Sequence, residues 1–209
     1  MTGRILVLAP HTDDGELSMG GSIAKLIEQK RELYLAAFSC ARASINPELP
    51  DDTLIKEIKK AADVLGLPQD HLKLYDYPVR RFSYNRQDIL EELVKLRKEL
   101  EPEIIFLPSP NDLHQDHTTL SQEGVRAFKT DSILGYELPW NNITFRTQCF
   151  SVLQEKHVQK KIEALLCYKS QSHREYVNPE FVRGLAIARG VQIKEKYAEA
   201  FEVIRWKLI

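Results

Sequence analysis

Short apolar runs alternate along the chain with longer stretches in which apolar residues recur at helical spacing. Arg4–Ala9 (RILVLA) is apolar almost throughout, as expected of a strand buried on both faces. A polar loop, PHTDDGE, follows, and LSMGGSIAKLIEQK then reads as a helix. ELYLAAFSC predicts a second buried strand. Between Asp52 and Leu65, the apolar residues Leu54, Ile55, Ile58, Ala61, Ala62 and Leu65 keep helical periodicity, and Asp51 or Asp52 is placed to cap the first turn. HLKLYDY predicts a third strand, Gln87–Leu100 an amphipathic helix stopped by Pro102, and Glu103–Leu107 (EIIFL) a fourth buried strand. The loop PSPNDLHQDH leads into a helix over His117–Lys129.

This strand-then-helix alternation predicts an α/β fold: a Rossmann-like, three-layer α/β/α arrangement around a mainly parallel sheet. From about Ser132 the pattern changes. Strand-like pieces (ILGYEL, ITFRTQCFSVL) precede helices near Lys156–Cys167 and Pro179–Arg189, which predicts a small C-terminal strand-and-helix extension. The 209 residues suit a single domain, residues 1–209, with no repeat, low-complexity stretch or linker.

Composition narrows the class of partner. A formal net charge of −1 gives no surface for nucleic acid or an anionic membrane. No apolar run reaches spanning length, and MTGRILVLAP does not read as a signal peptide, so the expectation is a cytoplasmic protein. Cys40, Cys149 and Cys167 are odd in number and lack CxxC spacing, which suggests reduced thiols and no thiolate metal site. Self-association into a homo-oligomer is left open.

Ligands of an open parallel sheet bind beyond the carboxyl ends of its strands. Two such loops are rich in side chains that can hold a metal: His11, Asp13, Asp14 and Glu16 in one, and Asp112, His114, Asp116 and His117 in the other. Neutral imidazole with carboxylate suits zinc, and a catalytic zinc takes about three protein ligands with a place kept for water. Each loop alone has a plainer reading, since an Asp pair after a strand commonly caps a helix and HxDH can be a solvated turn. Together, at two strand ends, they point to one metal centre.

Pro10-His11-Thr12-Asp13-Asp14-Gly15-Glu16 followed by Met19-Gly20-Gly21 resembles the HPDDxE signature of the LmbE-like, or PIG-L, N-acetylglucosaminyl deacetylases. His114-Gln115-Asp116-His117 resembles the HxDH motif of that family. Fainter similarities lie at Glu57 to Gly66, at Lys161 to Gln171 and at Tyr197-Ala198-Glu199-Ala200-Phe201, so the resemblance spans nearly the whole chain. It implies His11, Asp14 and His117 as Zn2+ ligands, although Fe2+ or Co2+ would accept the same set. It implies Asp13 as the base that takes a proton from water, His114 as acid or electrostatic stabiliser, and Asp116 as the residue that orients a histidine. The chemistry agrees, because an amide resists neutral water, whereas zinc lowers the pKa of bound water from about 16 to roughly 7. Gly20 and Gly21 fit either a tight approach of helix to loop or helix packing on the sheet.

Two departures bear on the substrate. Ser39-Cys40-Ala41-Arg42-Ala43-Ser44 stands where many members carry Gly-Glu, and Leu54 stands where many carry a sugar-holding Arg. Arg42, Arg80 or Arg81 would have to replace it, each with a solvated surface position as the alternative. Tyr136-Glu137-Leu138-Pro139-Trp140-Asn141-Asn142 offers rings for a sugar face, with core packing as the alternative for Tyr136 and Trp140. The expected activity is removal of an N-acetyl group from a small N-acetylglucosamine-type sugar or its conjugate. The competing readings are a zinc amidase acting on a non-sugar acyl amide and a catalytically silent sugar-binding module.

Overall fold

A computed structural model describes residues 3–208. Its order is β1 (Ile5–His11), α1 (Asp14–Glu28), β2 (Leu33–Ser39), α2 (Thr53–Leu65), β3 (Leu72–Leu74), α3 (Arg86–Leu100), β4 (Ile104–Pro108), α4 (Gln115–Ala127), β5 (Ser132–Tyr136), β6 (Cys149–Leu153), α5 (Glu155–Leu165), α6 (Pro179–Val191) and β7 (Tyr197–Arg205). The strands form one sheet in the order β3-β2-β1-β4-β5-β7-β6. β1 to β5 run parallel, and β7 and β6 continue the sheet antiparallel.

β1 and β4 are buried along their whole length, and this is why both read as unbroken apolar runs. One face of the sheet packs against apolar residues of α1, α2, α5 and α6, such as Ile23, Ile58, Ile162 and Val182. The other packs against α3 and α4 through Leu93, Leu96 and Leu120. The three-layer expectation holds, and the C-terminal strands and helices join these same layers.

Several local expectations shift. β1 runs on to His11, which pairs with Ser39, and α1 begins at Asp14. Of HLKLYDY only Leu72–Leu74 is regular strand, and of ITFRTQCFSVL only Cys149–Leu153 is. Asp52 stands at the N-cap of α2 without capping it, because its carboxylate pairs with Lys56 at 2.7 Å. Gly66 ends that helix at φ +82°, where a side chain would be strained. Gly20 and Gly21 serve close packing: a Cβ there would lie 3.0 Å from Lys161 Cγ and 2.6 Å from Leu153 Cδ1, respectively. No helix among the described residues is long and apolar enough to cross a membrane.

Candidate metal centre

Strand order reverses direction between β1 and β4, and the crevice at that switch point holds both polar loops. His11 is the last residue of β1, Asp13 the N-cap of α1 and Asp14 its first residue. HxDH forms the start of α4: the His114 ring caps the helix by accepting the Asp116 backbone N–H at 3.2 Å, and Asp116 and His117 lie in its first turn. The Asp pair does no such capping. The Asp13 side chain makes no cap bond, and Asp14 Oδ2 accepts the His11 backbone N–H at 2.8 Å.

Three atoms converge. Asp14 Oδ2 lies 3.0 Å from His11 Nδ1 and 3.3 Å from His117 Nε2, and the two imidazole nitrogens are 3.3 Å apart. The far side of each ring faces a carboxylate: His11 Nε2 donates to Asp116 Oδ2 at 3.1 Å, and His117 Nδ1 donates to Asp112 Oδ2 at 2.8 Å. A carboxylate can only accept, so each ring's proton sits on the nitrogen facing it and leaves a lone pair at the convergence point. Asp116 is held in turn by the backbone N–H groups of Arg80, at 2.5 Å, and Phe82, at 3.2 Å.

Three electron-rich atoms this close repel unless positive charge lies among them. Tetrahedral zinc with ligands at about 2.0–2.1 Å separates them by about 3.3 Å, so the triangle fits such an ion. Proton affinities reflect the same pull. Burial disfavours an ionised Asp14, yet His117 and then His11 outweigh it and hold the carboxyl far below its usual range. Burial likewise disfavours a charged His117, but Asp14 and Asp112 raise its pKa to about 10. His114 also stands within reach, since suitable nitrogens of His11, His114 and His117 all lie within 4.8 Å of one another. Its Nδ1 is taken by the helix cap, so its free nitrogen is Nε2. Burial, then the charges of His117 and His11, push its pKa down, which favours the neutral ring.

A cavity of about 270 Å³ opens over this centre, lined among others by Asp13, His114, Arg80, Trp140, Arg174 and Tyr176. Asp13 faces the cavity; burial, then the charge of Asp14, push its pKa up to about 6. Trp140 is 39% exposed and stacks on Tyr176, with centroids 4.0 Å apart and planes at 9°. Tyr136 is a correction. It is 1% exposed, donates its hydroxyl to Leu8 O at 2.9 Å and lies in the core, because β5 is buried throughout. Of the three arginines considered, only Arg80 lines the cavity; Arg42 pairs with Asp76, and Arg81 lies over Tyr84. Sequence reasoning missed Arg174 and Tyr176, which follow the Lys161–Gln171 segment with no motif of their own, and gave no role to Asp112. Its signal was a carboxylate five residues before His117.

The comparisons with known proteins meet this geometry. The family model described as "PIG-L: GlcNAc-PI de-N-acetylase" matches residues 6–128. The chain belongs to the PIG-L family. Among curated proteins it is similar to an uncharacterized deacetylase, YaiS, of Escherichia coli K12, with 30% identity over 170 residues, covering 79% of this chain and 90% of that one. The N,N'-diacetylchitobiose deacetylase of Pyrococcus horikoshii has a similar fold, with TM-score 0.81 and 20% identity over 96% of this chain and 83% of that one. So has GalB of Pseudomonas putida, a 4-carboxy-2-hydroxymuconate hydratase, with TM-score 0.79 and 21% identity over 100% and 98%. One fold therefore serves more than one chemistry. The family match and the YaiS likeness, not the fold, make this PIG-L chain a deacetylase, in a family whose members are generally metal-dependent.

Proposed function

We propose that this PIG-L protein is a zinc-dependent hydrolase that removes the acetyl group from the nitrogen of an N-acetylglucosamine-type sugar or its conjugate. The observation that carries the reading is the convergence of His11 Nδ1, Asp14 Oδ2 and His117 Nε2, each backed so that its lone pair points inward. These three residues would hold the ion, and Fe2+ or Co2+ suits the same donors. When bound, the ion acidifies a water molecule and polarises the amide carbonyl.

The chain's own residues supply the rest. Asp13 faces the cavity, so it accepts the proton of the attacking water and passes it to the amine nitrogen as the C–N bond breaks. His114, neutral with its Nδ1 fixed to the backbone, donates from Nε2 to the oxygen that gains charge as the carbonyl becomes tetrahedral. Asp116 holds the His11 ring and Asp112 the His117 ring, which keeps both lone pairs aimed. Trp140, backed by Tyr176, offers an aromatic face to a sugar ring, and Arg80 and Arg174 offer donors to its hydroxyls or substituent. The cavity size, just below the range of about 300–1,000 Å³ usual for small-molecule sites, suits one sugar ring with its acyl group.

The test is acetate release by metal-stripped protein reloaded with Zn2+, Fe2+ or Co2+. N-acetylglucosamine glycosides and N-acetyl amino acids are offered side by side. Metal-dependent release from the sugars alone is the expected result. Release from amino acids alone would transfer the reading to a non-sugar amidase, and release without metal would end it.

A further inference from the structure

Helix α1, which carries Asp14 at its start, is broken in the middle. Met19 leaves helical geometry at φ −141°, ψ 27°. A break of this kind frees backbone donors and acceptors that must find partners when buried. Here two side chains from distant elements take them. Glu199 of β7 accepts the N–H of Gly21 at 3.1 Å with one oxygen and that of Ser22 at 2.7 Å with the other. Lys161 of α5 donates to Ser18 O at 3.3 Å and to Glu199 at 2.7 Å. Both side chains are more than nine-tenths buried.

We infer that the Lys161–Glu199 pair is a positioning device for the proposed reaction: wedged into the break in α1, it sets the aim of the turn that bears Asp13 and Asp14. The inference rests on the function proposed above. The turn before the break is tied to the site: Asp14 O accepts the Ser18 hydroxyl at 2.7 Å, Leu17 lines the cavity, and the Tyr168 hydroxyl donates to Thr12 O and lies 2.9 Å from Glu16 Oε1. No residue of α1 beyond Leu17 lines the cavity, and the second half of the helix is held instead by Lys161 and Glu199. A buried ion pair is a poor source of stability, because desolvation of both charges offsets their attraction. Its yield here is geometry: one carboxylate with two acceptor oxygens meets two N–H groups, and an ammonium meets the freed carbonyl.

The experiment compares Glu199→Gln, Lys161→Met and the double variant K161M/E199Q. In E199Q the amide NH2 faces a backbone N–H that needs an acceptor. The single variants should lose stability, since each leaves a buried group unpaired. The double variant removes the unpaired charge and should regain part of the thermal stability, but not turnover, because one backbone N–H and the Ser18 carbonyl still lack their partners. We expect kcat down by about 100-fold, the loss that a shift of about 1 Å in a reacting group produces. KM should hold, because the Glu137–Arg189 pair that anchors the segment bearing Trp140 remains. The second readout is the absorption of the Co2+-loaded protein, whose band positions report ligand geometry without any substrate; they should move in the double variant. Gly20→Ala is a milder arm, since its Cβ would press on Lys161 Cγ from 3.0 Å while both charges remain, and a smaller shift of the same sign is expected. Recovery of kcat together with stability, or wild-type cobalt bands in both G20A and the double variant, would overturn the inference. A wild type that binds cobalt but deacetylates nothing would sink the proposed function instead, and the cobalt bands would still judge the brace.

Discussion

Asp112→Asn tests whether the outer carboxylates aim the metal ligands. Asp112 is 4% exposed and makes two bonds: Oδ2 accepts the His117 ring N–H at 2.8 Å, and Oδ1 accepts the His114 backbone N–H at 2.8 Å. An asparagine of the same shape has one acceptor and one NH2 group. With its oxygen toward His117, the NH2 meets the His114 N–H head on. Turned over, the NH2 meets the His117 Nδ1–H and drives the proton to Nε2, onto the nitrogen that faces Asp14. Either way one hydrogen bond to a charged group is lost, about 1.5–3 kcal/mol. Loss of such a partner weakens metal binding by about 10–100-fold. The assay is competition for Zn2+ between the protein and a chromophoric chelator, with circular dichroism to show that the variant is folded. Wild-type zinc affinity in a folded D112N would refute the claim that Asp112 acts on the ion through His117.

Three further predictions follow from the site. Asp13→Asn should lower kcat by about 10²–10⁴-fold while bound zinc stays stoichiometric, and loss of zinc would reassign Asp13 to coordination. Trp140→Ala should raise KM for a sugar glycoside by roughly fivefold, from about 1 kcal/mol of lost stacking, with kcat little changed; an unaltered KM would take the indole out of the sugar site. Asp13 works ionised, so kcat/KM should fall as pH drops through its pKa. Burial and Asp14 put that value at about 6, and a bound cation pulls it lower, so an acid limb centred well above pH 6 would contradict the assignment.

The two polar loops were legible because a parallel sheet puts its strand ends in one place, and chemistry-bearing residues after β1 and β4 had to meet. The last strand was not. Its two carboxylates, Glu199 and Glu202, interrupt the apolar alternation, and only the fold shows both buried and bonded, Glu199 to α1 and Glu202 to Ser109 at 2.5 Å. Tyr136 and Trp140 were equivalent as sequence. The first falls on a buried strand and the second on the turn beyond it, and four residues of chain decide between core and cavity. The similarity segments, mere echoes in sequence, become partners in space. Glu57 accepts from the Ser170 backbone at 2.9 Å and from its hydroxyl at 2.5 Å, Lys161 pairs with Glu199, and Tyr168 holds Glu16.

Among the described residues, five that are not glycine hold positive φ. Lys30, Glu101 and Lys194 follow helices, while Ala41 and Arg80 line the cavity, on the loops after β2 and β3. His11 ends β1, Asp14 opens α1 and His117 lies on the helix after β4, so the two halves of the crevice come from different stretches of chain. A substitution at Ala41 or Leu54, both on the cavity wall, would therefore reshape what the cavity admits without touching His11, Asp14 or His117. Arg80 is the exception on that rim: its backbone N–H also holds Asp116, so a change in its left-handed turn would reach the His11 ring.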